Sequence, residues 1–270
     1  KNGMYAVVEA MQKLAEELGV IIKTDAVIDE IIVKDGIAEG LIVNGTKTEA
    51  DIIVSGADYH HTETLLPQKY RVYTEEYWNK KTFAPSSLLF YVGFDKKIAN
   101  VELHTLFFDV NFDKHAEAIY DDPKWPEEPL FYASFPSKTD KNAAPDGKEA
   151  GILLSPLARG ITDTEELRNV YCNKIMERFE RITGQSIQNN VIFKESFCIN
   201  DFVKEYNSFK GNAYGLANTL LQTAFLRPKL KSKKVNNLYF TGQLTVPGPG
   251  VPPALISGKL VSELIQKNKS

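Results

Sequence analysis

Apolar residues at Val7, Met11, Leu14 and Leu18 fall at steps of four, three and four, which predicts a helix over residues 5–18 ending at Gly19. The period then changes. Residues 20–24 read as a short strand, residues 26–33 as a second, and residues 37–43 and 48–54 as two more. Lys34-Asp35-Gly36 and Asn44-Gly45-Thr46 lie between them and supply the residues that tight hairpins need. Residues 51–57 form an apolar strand that runs into Ser55-Gly56-Ala57. Around residues 59–77 the composition turns to His, Thr, Tyr and Glu, and Pro67 breaks the chain. Residues 86–94 are a strong apolar strand, followed by strands over 103–110, 130–135, 151–155 and 191–197. Residues 162–183 read as a long helix, capped by Thr162 or Thr164 with Glu165 and Glu166 in its first turn.

The end of the chain compresses a strand, a loop and a helix into a few residues. Leu238 to Phe240 are apolar and aromatic; the stretch 242–253 then holds three Gly and four Pro, too many for a regular element. Residues 254–265 return to helical spacing through Leu255, Leu260, Val261 and Leu264. A strand feeding a glycine turn that opens a helix brings backbone and a positive helix end to a ligand.

The bulk numbers remove several classes. A net charge of -3 gives no general reason to expect nucleic acid, and the basic run 229–234 reads as a solvated loop. Cys172 and Cys198 have no metal-ligand spacing and the four histidines make no zinc pattern, so no metal is expected and both thiols are expected in the core. No run of eighteen apolar residues exists, so no membrane-spanning helix is expected.

Four segments together resemble the bacterial-type phytoene desaturases and carotenoid desaturases, flavoproteins related to amine oxidases. They are Asn2-Gly3-Met4 leading into a helix, Asn207 to Gly215 followed by Arg227-Pro228, Asn237-Leu238-Tyr239-Phe240-Thr241-Gly242, and Pro247-Gly248-Pro249-Gly250-Val251. Departures are Asn2 in place of Gly, and Gln243-Leu244 with Thr245-Val246-Pro247 where the family has a small residue and Thr-His-Pro. The resemblance implies an α/β fold with a β-rich insertion: residues 1–58 and 236–270 as part of an FAD-binding Rossmann-type domain, residues 59–235 as the substrate domain. The family's Gly-x-Gly-x-x-Gly phosphate motif has no counterpart here, and the prolines of 248–253 lack the N–H groups a phosphate cradle uses. The chain is therefore expected to be the C-terminal part of a longer flavoprotein.

By the same resemblance the cofactor is FAD, met by the backbone of Val27, by Gly56 and Ala57 at a strand end, by Gly242 and Gln243, and by Gly250, Val251 and Pro252 at the start of the last helix. The side chain of Val27 is expected in the core. The implied reaction is desaturation of a long polyene, phytoene or a related carotenoid; a carotenoid isomerase or another flavin oxidase on the same scaffold is the alternative. The implied setting is the cytoplasm, peripheral to the inner face of the cell membrane. Tyr214, Leu216, Leu220 and Leu221 are candidates to line an apolar tunnel. Glu195 and Asp201 read as surface charges, and no catalytic acid or base is assigned.

Overall fold

A computed structural model describes residues 3–269. In chain order the elements are α1 (Tyr5–Glu17), β1 (Ile28–Lys34), β2 (Ile37–Val43), β3 (Thr46–Glu49), β4 (Ile53–Ser55), α2 (Tyr59–Thr64), α3 (Glu75–Lys80), β5 (Ser86–Phe94), β6 (His104–Phe107), α4 (Phe112–Tyr120), β7 (Phe131–Ser134), β8 (Glu149–Leu157), α5 (Glu165–Thr183), β9 (Val191–Phe197), α6 (Ile199–Tyr206), β10 (Leu238–Phe240) and α7 (Val251–Lys269). They group into two compact units. One takes the residues up to Lys23 with Ser86–Ile199; the other takes Thr24–Pro85 with everything from Asn200 onward. These lines differ from the expected 1–58 with 236–270 and 59–235. Segment 59–85 joins the unit of the chain's end because Tyr59 stacks on Phe240 at 3.7 Å and Phe83 pairs with Leu216.

The first unit is built on an antiparallel sheet of order β6-β7-β8-β5-β9. Alternate residues of β5 and β8 are buried, as a half-covered sheet requires. Leu88, Phe90, Val92, Phe131, Ala133 and Leu153 on that face share a core with Tyr171, Cys172, Ile175, Met176 and Phe179 of α5. Helix α5 starts where Thr164 accepts a hydrogen bond from the Leu167 N–H and stops at Gly184, whose φ of 67° lets the chain leave the helix. Both cysteines are buried. Helix α1 runs close to its expected span, but none of its residues is buried.

The second unit holds two small sheets. β1, β2 and β3 form an antiparallel meander, with turns at Asp35-Gly36 and Asn44-Gly45 in which all four residues take positive φ, as type I′ hairpins need. β4 and β10 pair in parallel, Ile53 beside Leu238 and Ser55 beside Phe240. The expected strand over 20–24 is not formed; Ile21 there is 82% exposed. Apolar content alone does not make a strand, because its backbone needs a partner strand. The expected strand over 48–54 is interrupted, giving β3 and β4. The core of this unit gathers Ile31, Ile53, Tyr59, Trp78, Phe209, Leu238, Phe240 and Leu244.

Asn237 explains the start of the Asn-Leu-Tyr motif. Its Oδ1 accepts from the Ala38 N–H at 2.8 Å, and its Nδ2 donates to the carbonyls of Ala38 and Asp51, each at 2.7 Å. One side-chain amide thus stands in for a peptide group and ties β2, the approach to β4, and β10 together.

Candidate functional site

β4 and β10 end side by side, and each runs into glycine: Gly56 directly after Ser55, and Gly242 two residues after Phe240. Gly242 sits at a φ of 94°, a conformation that a side chain would strain. Its N–H donates to Ser257 Oγ at 2.8 Å, and that hydroxyl donates to the Ala254 carbonyl, so the turn is tied to the first turns of α7. Ligands of open α/β sheets bind outside the carboxyl ends of parallel strands, which is the position of these two turns.

Two cavities open there. One, of about 620 Å³, is lined among others by Gly56, Ala57, Asp58, Tyr206, Gln243 and Val251. The other, of about 570 Å³, is lined by residues that include Val27, Ile53, Gly56, Ala57, His61 and Asn207. Gly56, Ala57 and Asn207 belong to both, so the two adjoin along the strand ends.

Of the residues expected at a cofactor, Gln243, Gly250 and Val251 line the first cavity, Val27 the second, and Gly56 and Ala57 both. Gly242 lies in the turn behind Gln243 and lines neither, and Pro252 is an exposed position in the first turn of α7. The side chain of Val27 is 64% exposed, so it is not a core residue as expected. Its backbone N–H donates to Asn44 Oδ1 and its carbonyl accepts from the Asn44 N–H, so both polar groups already have partners. Of the tunnel candidates, Tyr214 lines the first cavity, Leu216 is buried core, and Leu220 and Leu221 are exposed.

Several residues at the site carry no role in the sequence reading. Asp58 caps α2 by accepting from the His61 N–H, and its other carboxylate oxygen accepts from the Phe209 N–H and from Asn212 Nδ2. An aspartate between a strand end and a helical stretch is a readable cap signal; its tie to residues 209–212 is not. Burial holds His61 below its ordinary range, against the opposing pull of Asp58, so its ring stays neutral near pH 7. Arg227 is 2% exposed, donating from Nη1 to the Gln243 carbonyl and from Nη2 to the Leu216 carbonyl and Asn218 Oδ1. Gly248 lies against this guanidinium: a Cβ there would come within 3.2 Å of Nη2 and 3.3 Å of Cζ. Arg227 therefore seats the Pro-Gly loop and fixes the backbone of Gln243.

What the arrangement offers a ligand includes bare backbone at Gly56 and Ala57, the side-chain amides of Asn207 and Gln243, the carboxylates of Asp58 and Glu205, and the positive end of α7 at Gly250, Val251 and Ala254. Among the described residues no cluster of His, Cys, Asp and Glu could hold a metal ion. Among them, too, no helix is long and apolar enough to cross a membrane.

No family model matches the chain. Carotenoid 3,4-desaturase of Haloarcula japonica is 42% identical over 268 residues, covering 98% of this chain and 54% of the relative. The 4,4'-diapophytoene desaturase (4,4'-diaponeurosporene-forming) of Staphylococcus aureus is 30% identical over 285 residues, covering 98% and 56%. The solved structure of an oxidoreductase from Methanosarcina mazei superimposes with a TM-score of 0.63 at 15% identity, covering 95% of this chain and 53% of that one, which is a likeness of fold. The chain thus spans about half the length of the curated relatives it matches, and over nearly all of its own length it is related to the carotenoid desaturases, as its motifs implied.

Proposed function

We propose that the chain forms one wall of an FAD site and part of the substrate region of a carotenoid desaturase that removes hydrogen from a long polyene. The observation that carries the reading is the pair of adjoining cavities along the carboxyl ends of β4 and β10. A dinucleotide is long, and two connected cavities of ordinary ligand size suit it better than one. The glycine turns fit such a group, since Gly242 needs a φ that only glycine adopts without strain and Gly56 brings no side chain into either cavity.

When bound, FAD would accept the hydride taken from the polyene. Gly56 and Ala57 would let the cofactor lie against backbone, and Gln243 would offer its amide to a hydroxyl or phosphate. Gly250, Val251 and Pro252 at the positive end of α7 would favour negative charge on the cofactor. Val27 would contact the cofactor by shape, because Asn44 occupies its backbone groups. The polyene substrate brings no polar handle, so orientation would rest on apolar walls. The same reading places the protein in the cytoplasm, in peripheral contact with the inner face of the cell membrane.

Purified at full length, the protein is expected to be yellow from bound FAD. Gly242→Trp, which puts a large side chain on a strained turn beside Gln243, is expected to abolish the flavin absorbance while far-ultraviolet circular dichroism stays unchanged. Full retention of FAD by that variant sinks the assignment. Chromatography of products after anaerobic incubation of the holoenzyme with phytoene and with hydroxylated carotenoids tests the substrate class.

A further inference from the structure

A third cavity of the second unit, of about 420 Å³, shares no lining residue with the two at the strand ends. Phe225, Leu230, Val246 and Leu264 give it apolar walls, and Arg227, Lys229, Lys231 and Ser232 supply its polar lining. Every charged residue in that lining is basic. The surrounding sequence is equally one-sided: between Glu205 and Glu263 there is no Asp or Glu, but Arg227 and six lysines occur.

Donors here exceed acceptors. Among the described residues Arg227 is a buried cation with no carboxylate partner, and its Nε has no hydrogen-bond partner. Ser232, buried, accepts from the N–H groups of Lys234 and Val235, while its own hydroxyl proton meets no acceptor among the described residues. Lys229 places its ammonium on the Phe225 carbonyl at 2.7 Å, and Lys231 lies over the Tyr239 ring at 5.7 Å. Among the described residues neither lysine has an acidic partner. Buried cations and unspent donors cost free energy unless something negative meets them.

We propose that this cavity binds a phosphate group carried on an apolar chain. Lys229, Lys231 and the Ser232 hydroxyl would meet the phosphate, with Arg227 adding charge from behind. Phe225, Leu230, Val246 and Leu264 would take the first part of the chain. Phe225 in the cavity wall is itself 75% exposed, and in the chain just before it Leu220 is 92% and Leu221 77% exposed, an apolar run at the surface. That favours a phospholipid headgroup at a bilayer as the source, over a soluble phosphate ester, an assignment that rests on the peripheral membrane contact proposed above.

The test compares full-length wild type with the double variant Lys229→Gln, Lys231→Gln and with a control pair on exposed lysines elsewhere, Lys13→Gln, Lys47→Gln. Flotation uses phosphatidylcholine vesicles with and without phosphatidylglycerol, and phosphorus NMR line broadening uses inorganic phosphate. The expected result is binding to phosphatidylglycerol vesicles that falls roughly tenfold or more in the site variant and stays put in the control. Phosphate binding lost in the site variant, with no vesicle flotation, supports the site with a soluble ligand. If wild type binds neither probe, or both variant pairs lose binding equally, or the site variant binds like wild type, the proposal is overturned. Circular dichroism melts check that both double variants stay folded, and none of these readouts depends on FAD.

Discussion

The two units bury polar groups in different ways, and the difference separates scaffold from site. In the sheet unit, buried charge is met by side chains of its own. Asp163 grips Arg168 through two bonds of 2.7 and 2.6 Å, and buried Glu149 accepts from Ser137 and from the Ile98 N–H. Helix α5 shares its core with one face of the antiparallel sheet, and its contacts there include ring on ring, Phe107 with Phe179 and Phe135 with Phe179. In the other unit the parallel pair β4 and β10 opens into cavities, Arg227 is buried with no acid beside it among the described residues, and glycines hold turns that a side chain would strain. A closed apolar layer yields stability; open strand ends and unmatched charge are where the proposed ligands would complete the structure.

The largest effect expected lies in the closed layer. Phe179→Ala removes a side chain with no exposed surface from the middle of the sheet unit and should cost about 3–5 kcal/mol in urea unfolding. A smaller loss would mean that the layer collapses around the gap and is less tightly packed than its rings indicate. Asn237→Ala comes next. It deletes three hydrogen bonds to Ala38 and Asp51 and should cost roughly 2–3 kcal/mol, with faster amide exchange at Ala38. Asn237→Asp keeps the acceptor but loses both bonds to carbonyls, so it should rescue little. Gly248→Ala should cost about 1–3 kcal/mol, since its φ of 131° is strained for any side chain and the new Cβ meets the Arg227 guanidinium. Gly147→Ala is its control: φ is 75° but nothing lies within 4 Å, so only backbone strain of about 1 kcal/mol remains.

How much of this was legible in the sequence depended on the range of the interaction. β5, β9 and β10 matched their expected spans to the residue, because an apolar run between breakers is a local signal. Both hairpins followed from Asp-Gly and Asn-Gly. Short helices α2 and α3 carry no readable period, since each spans six residues and is held by Tyr59 and Trp78 packing on distant Phe240 and Phe209. At the site, the glycine turns were visible as glycines. The guanidinium of Arg227 beneath Gly248 was not, because a contact across 21 positions leaves no mark on either local pattern. Val27 reads as core by hydropathy alone, yet it stands at the edge of a cavity.

A finer comparison lies within the second unit, between its cation without an acid and its acid without ordinary ionisation. Glu63 is 2% exposed and accepts from the N–H groups of Val72 and Tyr73 at 2.8 and 3.1 Å. Burial nonetheless outweighs those bonds and the pull of Lys234 and Arg71, and pushes its carboxyl from 4.5 up to about 7. The folded protein then holds this proton where the unfolded chain has lost it. Stability from Glu63 is fully present below pH 4.5 and declines as pH rises through about 7, with a slope of at most ~1.4 kcal/mol per pH unit. Glu63→Gln is neutral at every pH and should remove that slope. The difference in urea midpoint between wild type and Glu63→Gln, followed from pH 4.5 to 8, should move steadily against wild type and level off above about 7. A difference that stays flat across the window would mean that the Val72 and Tyr73 N–H groups hold the carboxylate charged, and that this unit satisfies its buried acid as fully as the sheet unit satisfies its own.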